Sequence, residues 1–275
     1  FFELEGWEEK TIKDSFPGDE LYLSKEKIDA LNVPEDKSFE VMSVFVDSRI
    51  TKDIINRFPG LRFITTRSTG YDHIDLKACG SKNILAAYVP GYGDNTVAEF
   101  TFGLILNLTR KIYQGIDQVK ETGSFSLAGL RGTDIKGKTI GIVGTGRIGK
   151  EMIKIAKGFG MRVIAFDAFP DKHFYETAKF EYVTLDELLR GSDIVSLHCP
   201  LTPKTRHLIN SKNLKKMKKG SYLVNTARGG IIETDALIKG LQEKIIAGVA
   251  MDVLEEEGEI KEELEFLGKA HPKEE

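Results

Sequence analysis

Apolar and polar positions alternate along the chain with two different periods. Short apolar runs, "EVMSVFVDS" (40–48) and "LRFITTRS" (61–68), are typical of buried strands, and "TKDIINRFP" (51–59) between them is typical of a short helix. "NILAAYVPGYGDN" (83–95) predicts a strand that runs into a loop, and "FFELEG" (1–6) a strand entered part-way. Strand-like and helix-like stretches keep alternating afterwards, which predicts parallel α/β layers.

One apolar stripe is much longer than the others. In "NTVAEFTFGLILNLTRKIYQGIDQV" (95–119) apolar side chains recur at helical spacing, and Asn95 or Thr96 can cap the start. The stripe is wide enough for a helix buried on more than one side. We interpret it as a bridge between two domains or a dimer surface, with an ordinary core helix as the alternative. The predicted domains are 1–96 and 97–275.

Composition narrows the classes of partner. With 275 residues and a net charge of −3, there is no global electrostatic reason to expect nucleic acid or an anionic membrane as partner. No apolar stretch is long enough for a membrane span. Two distant cysteines, Cys79 and Cys199, suit a reducing cytoplasm rather than a disulfide framework. A lysine-rich stretch (212–219) is a solvated helix face, or alternatively a contact to phosphate or a partner.

A glycine motif carries the first chemistry. Gly144, Gly146 and Gly149 form G-x-G-x-x-G between an apolar strand (140–143) and a helix. Such glycines permit the tight turn, the approach of backbone to a pyrophosphate, and close helix packing. A second strand (162–166) ends at Asp167. A carboxylate at this position accepts hydrogen bonds from the ribose hydroxyls of NAD and repels the extra phosphate of NADP. The motif therefore predicts NAD, the alternative being a tight turn with nothing bound.

Three later polar side chains follow strands. Arg228 follows "YLVN", and Asp252 and Glu257 follow "AGVAM". Ligands of open α/β sheets bind at the carboxyl ends of strands, so these residues are expected near the nicotinamide end of the cofactor. An arginine there suits a carboxylate substrate. Reducing a ketone also requires a proton donor, and a carboxylate such as Glu257 can keep a histidine protonated, although an ordinary ion pair is the alternative.

Several stretches in one order make the sequence similar to a known family. "TTRSTGYDHIDL", "YVPGYGDNTVAEFTFGLIL", "GKTIGIVGTGRIGKEM", "LHCPLTPKTRHLIN", "NTARGGIIETDAL" and "GVAMDVLEEE" resemble the D-isomer-specific 2-hydroxyacid dehydrogenases, and most of all the D-lactate dehydrogenase type. The resemblance covers about Val41 to Glu257. One departure is Phe100, which stands where many members have histidine.

The resemblance implies a role for individual residues. Arg228 binds the substrate, and Glu257 pairs with a catalytic histidine. The backbone N–H groups of Thr69 and Gly70 meet the substrate carboxylate, and Tyr92 matches a tyrosine that lactate-type members keep near the substrate. The implied cofactor contacts, besides the glycines and Asp167, are Arg147, Ile148, Cys199, Pro200, Thr205, Thr226, Ala227 and Asp252. From its position alone, Arg147 could equally be solvated.

The resemblance also implies an architecture and a reaction. A flavodoxin-like substrate domain flanks a Rossmann NAD-binding domain, with the site in the cleft between them and a homodimer formed through the long helix. The implied reaction interconverts a small 2-keto acid and a D-2-hydroxy acid, pyruvate and D-lactate above others. The alternatives are a glyoxylate or hydroxypyruvate reductase, a phosphoglycerate dehydrogenase of the same family, and a non-catalytic NAD(H)-sensing corepressor.

The proton donor is the open point of the sequence. His271 lies 14 residues after Glu257 in a polar stretch, too early and in the wrong setting for the family's acid/base histidine. His198 is expected not to transfer protons, and a metal site from His198, Cys199 and His207 is disfavoured by their spacing. We therefore expect a chain truncated at both ends, which lacks that histidine and a closing helix and, taken literally, binds NADH but reduces pyruvate poorly.

Overall fold

The structure is a computed structural model, and it describes residues 1–255. The chain separates into two compact units, Phe1–Gly93 and Asp94–Glu275. The predicted boundary lay after residue 96. The substrate-binding and NAD-binding roles of the two parts stay predictions.

The first unit contains a three-stranded parallel sheet in the order β1-β2-β3. Val41 of β1 pairs with Phe63 of β2, and Phe63 pairs with Leu85 of β3. The core under this sheet is aliphatic and aromatic, with Met42, Ile64 and Phe58 fully buried. In chain order its elements are α1 (Glu8–Ser15), β1 (Val41–Val44), α2 (Lys52–Asn56), β2 (Phe63–Thr66), α3 (Leu76–Ser81) and β3 (Leu85–Ala87).

The second unit contains a six-stranded sheet in which all pairs are parallel. Its helices are α4 (Asp94–Arg110), α5 (Ile112–Thr122), α6 (Arg147–Gly158), α7 (Lys172–Ala178), α8 (Leu185–Gly191) and α9 (Thr234–Gln242), with 3₁₀ turns at Leu214–Lys216 and Gly229–Ile231. Its strands are β4 (Thr139–Val143), β5 (Arg162–Phe166), β6 (Glu181–Tyr182), β7 (Ile194–Leu197), β8 (Ser221–Asn225) and β9 (Ile246–Met251).

The strand order of this sheet, β6-β5-β4-β7-β8-β9, is that of a doubly wound fold. The chain builds outward from β4 in one direction, then returns and builds outward from β7 in the other. The order reverses between β4 and β7, which is where such folds open a crevice for a ligand. The predicted α/β class with a Rossmann-type domain is confirmed.

The central strand β4 is buried at four of its five positions. Ile140 and Ile142 are fully buried on one side of the sheet and Val143 on the other. Gly141 is needed for close packing, because a Cβ added there lies 2.5 Å from the Leu188 side chain of α8. The strand thus has neighbouring strands at both edges and helices over both faces.

Two predicted elements differ in the structure. The long helix is broken at Lys111, which adopts a left-handed conformation with φ of 53°. The Asn107 side chain accepts the N–H of Tyr113 at 2.9 Å, which caps α5 as a separate helix. Helix α4, the first part of this broken helix, begins at Asp94, before the two proposed caps Asn95 and Thr96. Residues 1–6 form no strand, although the Phe2 N–H donates to Ser43 of β1 at 2.9 Å.

Between residues 1 and 255 no helix is both long and apolar enough to cross a membrane.

Candidate active site

The candidate active site lies along the carboxyl edge of the six-stranded sheet. Gly144, Asp167, His198, Thr226 and Asp252 each directly follow one of five adjacent strands. Because the strands are parallel, all five positions lie at the same edge. From β5 to β8 there are three strand spacings, or about 14 Å, so the edge can accommodate an extended ligand.

The glycine turn after β4 forms a cradle with open space in it. Gly144 has a φ of 95°, and a Cβ added there lies 2.7 Å from the backbone nitrogen of Cys199. A Cβ at Gly149 collides with the carbonyl oxygen of Gly144. A Cβ at Gly146, by contrast, has nothing within 4 Å. Two of the glycines are therefore required by the fold itself, while the third leaves room for a ligand.

Helix α6 points its N-terminus at this open space. Gly146 is its N-cap, has no side chain to satisfy the first N–H groups, and leaves them for a ligand. The first turn contains no acidic residue, and Arg147 is exposed without an ion pair among residues 1–255. Free donors, a helix dipole and an arginine suit a pyrophosphate. The cradle therefore fits the dinucleotide that the sequence predicted.

Asp167 lies at the end of β5, beside this cradle. Its Oδ2 accepts the Thr145 N–H at 2.6 Å and the Thr145 hydroxyl at 2.9 Å, and its Oδ1 accepts the Phe169 N–H at 2.8 Å. A carboxylate has about four acceptor positions, so one position on Oδ1 remains for a ribose hydroxyl. The side chain is half-buried and already oriented.

The loop after β8 is shaped by a buried asparagine. The Asn225 side chain accepts the Ala227 N–H at 3.0 Å and donates to the Arg228 carbonyl oxygen at 2.9 Å. The Arg228 guanidinium donates to the Ala227 carbonyl at 2.7 Å. Thr226 is buried and its hydroxyl lies 2.8 Å from that of Thr101 on α4. The structure thus places Arg228 at the predicted strand end, with Asn225, which the sequence reading missed, holding its backbone.

The segment after β9 packs directly on the Arg228 loop. The Asp252 N–H donates to the Asn225 carbonyl oxygen at 3.0 Å, and the Asp252 residue is exposed. A Cβ added at Gly229 collides with the Leu254 carbonyl group and the Glu255 nitrogen. Gly229 therefore permits backbone contact between the two loops, so a shift of one must shift the other.

Glu255 fixes this segment and is a second residue that the sequence reading missed. Its carboxylate accepts the Thr234 N–H at 3.0 Å, the Thr234 hydroxyl at 2.7 Å, and a hydrogen bond from His207. Partial burial acts to raise the pKa of Glu255, but the hydrogen bonds from Thr234 and His207 outweigh it and lower this pKa to about 2. The sequence did not indicate this role, because Glu255 is the first of three consecutive glutamates and only tertiary contacts distinguish them.

The loop after β7 closes on itself. The Thr205 hydroxyl donates to the Pro200 carbonyl oxygen at 2.6 Å and lies 3.0 Å from the Thr202 hydroxyl. Burial raises the pKa of the Cys199 thiol to about 11, so this thiol stays protonated. Cys199 therefore contributes shape next to Gly144 rather than a nucleophile.

Four histidines lie in the described part, and His198 is ill-suited to proton transfer. Burial lowers the pKa of His198 to about 3, so its imidazole is neutral at working pH. His207 is bonded to Glu255, His173 is exposed on α7, and His73 lies 3.2 Å from the Thr66 hydroxyl in the first unit. Glu257 and His271 lie outside the described residues, and their roles stay predictions.

The predicted substrate contacts of the first unit follow β2 and β3. The Thr69 hydroxyl donates to the Val89 carbonyl oxygen at 3.0 Å, and the Gly70 carbonyl accepts from Ser68 at 2.6 Å. The Thr69 bond ties the loop after β2 to the loop after β3, and the Ser68 bond lies within the loop after β2. Tyr92 is exposed, with 61% of its surface accessible.

A doubly wound sheet with an open phosphate cradle and an acid on the neighbouring strand defines a dinucleotide-binding protein, and comparison with known proteins names its family. The profile of "D-isomer specific 2-hydroxyacid dehydrogenase, NAD binding domain" matches residues 102–272. The chain belongs to this family of NAD-dependent oxidoreductases and carries its NAD-binding domain.

Individual relatives agree on the family and differ in substrate. A 2-hydroxyacid dehydrogenase homolog of Zymomonas mobilis is 41% identical over 244 residues, which is 88% of this chain and 73% of that protein. Glyoxylate reductase of Thermofilum pendens is 42% identical, covering 79% of this chain and 66% of that protein. The crystal structure of Aquifex aeolicus D-lactate dehydrogenase with NAD and lactic acid is 34% identical, with a TM-score of 0.87, covering all of this chain and 81% of that one.

The chain spans less than two thirds of several of its curated relatives, for example 63% of 2-hydroxyacid dehydrogenase A of Aspergillus oryzae.

Proposed function

We propose that the protein is an NAD-dependent dehydrogenase that interconverts a small 2-keto acid and a D-2-hydroxy acid, pyruvate and D-lactate first. The observation that carries this proposal is the position of Arg228. It lies after the end of β8, two strands from the Gly144 cradle. The Asn225 side chain donates a hydrogen bond to the Arg228 carbonyl oxygen and so fixes the loop. An arginine has the planar donor pair that a substrate carboxylate or carbonyl requires.

The cofactor lies along the strand ends in this proposal. Asp167 accepts hydrogen bonds from the adenosine ribose. The first N–H groups of α6, together with Arg147, bind the pyrophosphate. The nicotinamide end faces the loops after β8 and β9. Ile148, Cys199, Pro200 and Thr205 line the middle, with Thr226, Ala227 and Asp252 at the nicotinamide end. When bound, NADH supplies the hydride that reduces the keto carbon.

The chain's own residues then have two tasks. Arg228 binds the carboxylate and polarises the carbonyl, so that negative charge developing on its oxygen is stabilised. We propose Thr69, Gly70 and Tyr92 as further substrate contacts. The proton for the new hydroxyl comes from a histidine paired with Glu257, and the neutral His198 is not that histidine.

The first experiment measures NADH oxidation with pyruvate, glyoxylate, hydroxypyruvate and 3-phosphohydroxypyruvate on the full-length protein. Preference for pyruvate supports a D-lactate dehydrogenase. Preference for another acid supports one of the other family activities and contradicts the lactate assignment. NADH binding without turnover of any of them supports the NAD(H)-sensing corepressor instead.

A variant tests the arginine directly. Arg228→Lys keeps the charge but loses the planar fork, so kcat/KM falls by at least 100-fold while NADH affinity stays within about twofold. Arg190→Lys, an exposed arginine at the end of α8, is the matched control and leaves both unchanged. Equal activity of the Arg228 and Arg190 variants would contradict the assignment.

We also propose a homodimer formed through α5. This helix exposes 46% of Ile112, 61% of Tyr113, 49% of Ile116 and 43% of Val119. An apolar stripe of this size on a helix surface is typical of a protein interface. Ile116→Glu should convert a dimer to a monomer in sedimentation velocity, whereas Glu121→Gln on the same helix should not. A wild-type monomer at all concentrations would refute this proposal.

A further inference from the structure

A chain of hydroxyl groups runs behind Asp167. The Thr145 hydroxyl, 2.9 Å from Asp167 Oδ2, also lies 2.8 Å from the Tyr182 hydroxyl. The Tyr182 oxygen in turn accepts the Asp171 N–H at 3.2 Å. Asp171 is held by Lys150 of α6, whose ammonium group donates to its carboxylate at 2.6 Å.

The donors and acceptors in this row of hydroxyl groups allow only one direction for the hydrogen bonds. An ionised carboxylate can only accept, so Thr145 donates its proton to Asp167. A backbone N–H can only donate, so the Tyr182 oxygen accepts from Asp171. The single Tyr182 proton is therefore donated to the Thr145 oxygen, and each hydroxyl in the chain is fixed at both ends.

Tyr182 is itself rigidly placed. It belongs to β6 and pairs with Ala165 of β5, two residues before Asp167. Its ring contacts Phe180 edge-on, with 4.9 Å between the ring centroids, and Tyr175 at 6.1 Å. The phenol therefore stays in place when Asp167 has no ligand.

We infer that Tyr182 is a positioning residue for coenzyme choice, which acts through Thr145 to hold the Asp167 carboxylate ready for the ribose diol of NADH. This inference rests on the proposed role of Asp167. While the Thr145 proton is committed to Asp167, a 2′-phosphate at this end meets a carboxylate and finds no donor there. Without Tyr182, the Thr145 hydroxyl loses one of its two restraints and can turn toward a phosphate.

The test measures direct binding of NADH and NADPH by isothermal titration calorimetry, with no substrate present. Tyr182→Phe keeps the ring and removes the hydroxyl. It should raise the Kd for NADH about three- to tenfold, the usual worth of one hydrogen bond, and leave the Kd for NADPH unchanged or lower. Tyr175→Phe is the matched control, because that ring is in the same cluster and its hydroxyl bonds to nothing within residues 1–255.

A double variant separates positioning from general loosening. Thr145→Val should reduce the preference for NADH at least as much as Tyr182→Phe does. If Tyr182 acts through Thr145, the double variant is no worse than Thr145→Val alone. Additive losses, or equal changes in both Kd values, would overturn the inference, and thermal melts identify any variant that has lost its fold.

Asp167→Asn distinguishes this inference from the proposal beneath it. If Asp167→Asn changes the NADH/NADPH ratio and Tyr182→Phe does not, Tyr182 has no such role while Asp167 keeps its own. If neither changes the ratio, the placement of the ribose at Asp167 is wrong, and the inference fails with it.

Discussion

Replacing Glu255 by glutamine tests how firmly the segment after β9 is held to Thr234 of α9 and to His207. The pKa of this carboxyl falls from an ordinary 4.5 to about 2 in the folded protein. Each tenfold change in an acid dissociation constant corresponds to about 1.4 kcal/mol, so the ionised group stabilises the fold by about 3 kcal/mol at pH 7. The Glu255 side chain is 15% exposed to solvent. Because solvent screens its charge, we expect Glu255→Gln to lower the free energy of unfolding by about 2 kcal/mol.

The pH dependence gives this prediction its sign. A carboxyl with a lowered folded pKa contributes its full stability above about pH 5 and loses it as the pH falls toward 2. The difference between wild type and Glu255→Gln should therefore shrink to less than half between pH 7 and pH 3.

The assay is urea unfolding followed by far-ultraviolet circular dichroism at several pH values. Glu243→Gln is the matched control, because Glu243, directly after α9, is an exposed partner of Lys239 at 3.8 Å and its loss should cost under about 0.5 kcal/mol. A loss below 0.5 kcal/mol for Glu255→Gln at pH 7, or a difference that is constant with pH, would refute the reasoning.

Two further predictions concern glycines. Gly146→Val should weaken NADH binding at least tenfold, measured by calorimetry, and leave the melting temperature nearly unchanged, because the added Cβ meets only open space; Gly158→Ala, equally open, should leave binding unaffected. Gly229→Ala should destabilise the protein by about 1–3 kcal/mol in thermal unfolding, since its Cβ collides with the Leu254 backbone, whereas Gly103→Ala in α4 should be neutral or stabilising. An unchanged NADH Kd in the first case or an unchanged melt in the second would contradict them.

Local signals predicted the parts of the fold that local physics determines. The strand before the glycine motif was predicted at 140–143 and observed as Thr139–Val143, and β5 was predicted with its observed bounds. A strand, a glycine turn and a helix follow from the residues of one short stretch. The helix break at Lys111 does not, because the apolar stripe continues through Ile112 and Ile116 while a left-handed residue and a side-chain cap interrupt the backbone.

The candidate site shows the same division. The placement of Arg228 and Asp167 at one edge could be predicted, because strand ends in a parallel sheet meet there. Glu255 and Tyr182 could not, because their partners lie in other elements and each has an ordinary local sequence. Their roles depend on the register between strands, which the hydrophobic pattern does not specify when a strand is buried on both faces.

The position of β4 has a consequence for the time scale on which this edge can open. A strand paired on both sides and covered on both faces exchanges its amide hydrogens only when the whole unit unfolds. Ile140 and Ile142 should therefore be among the slowest-exchanging residues, although the cradle at Gly144 begins one residue after their strand ends. The turn proposed to bind the phosphates is continuous with this persistent strand, so it keeps its shape through the many local openings that occur between one ligand and the next.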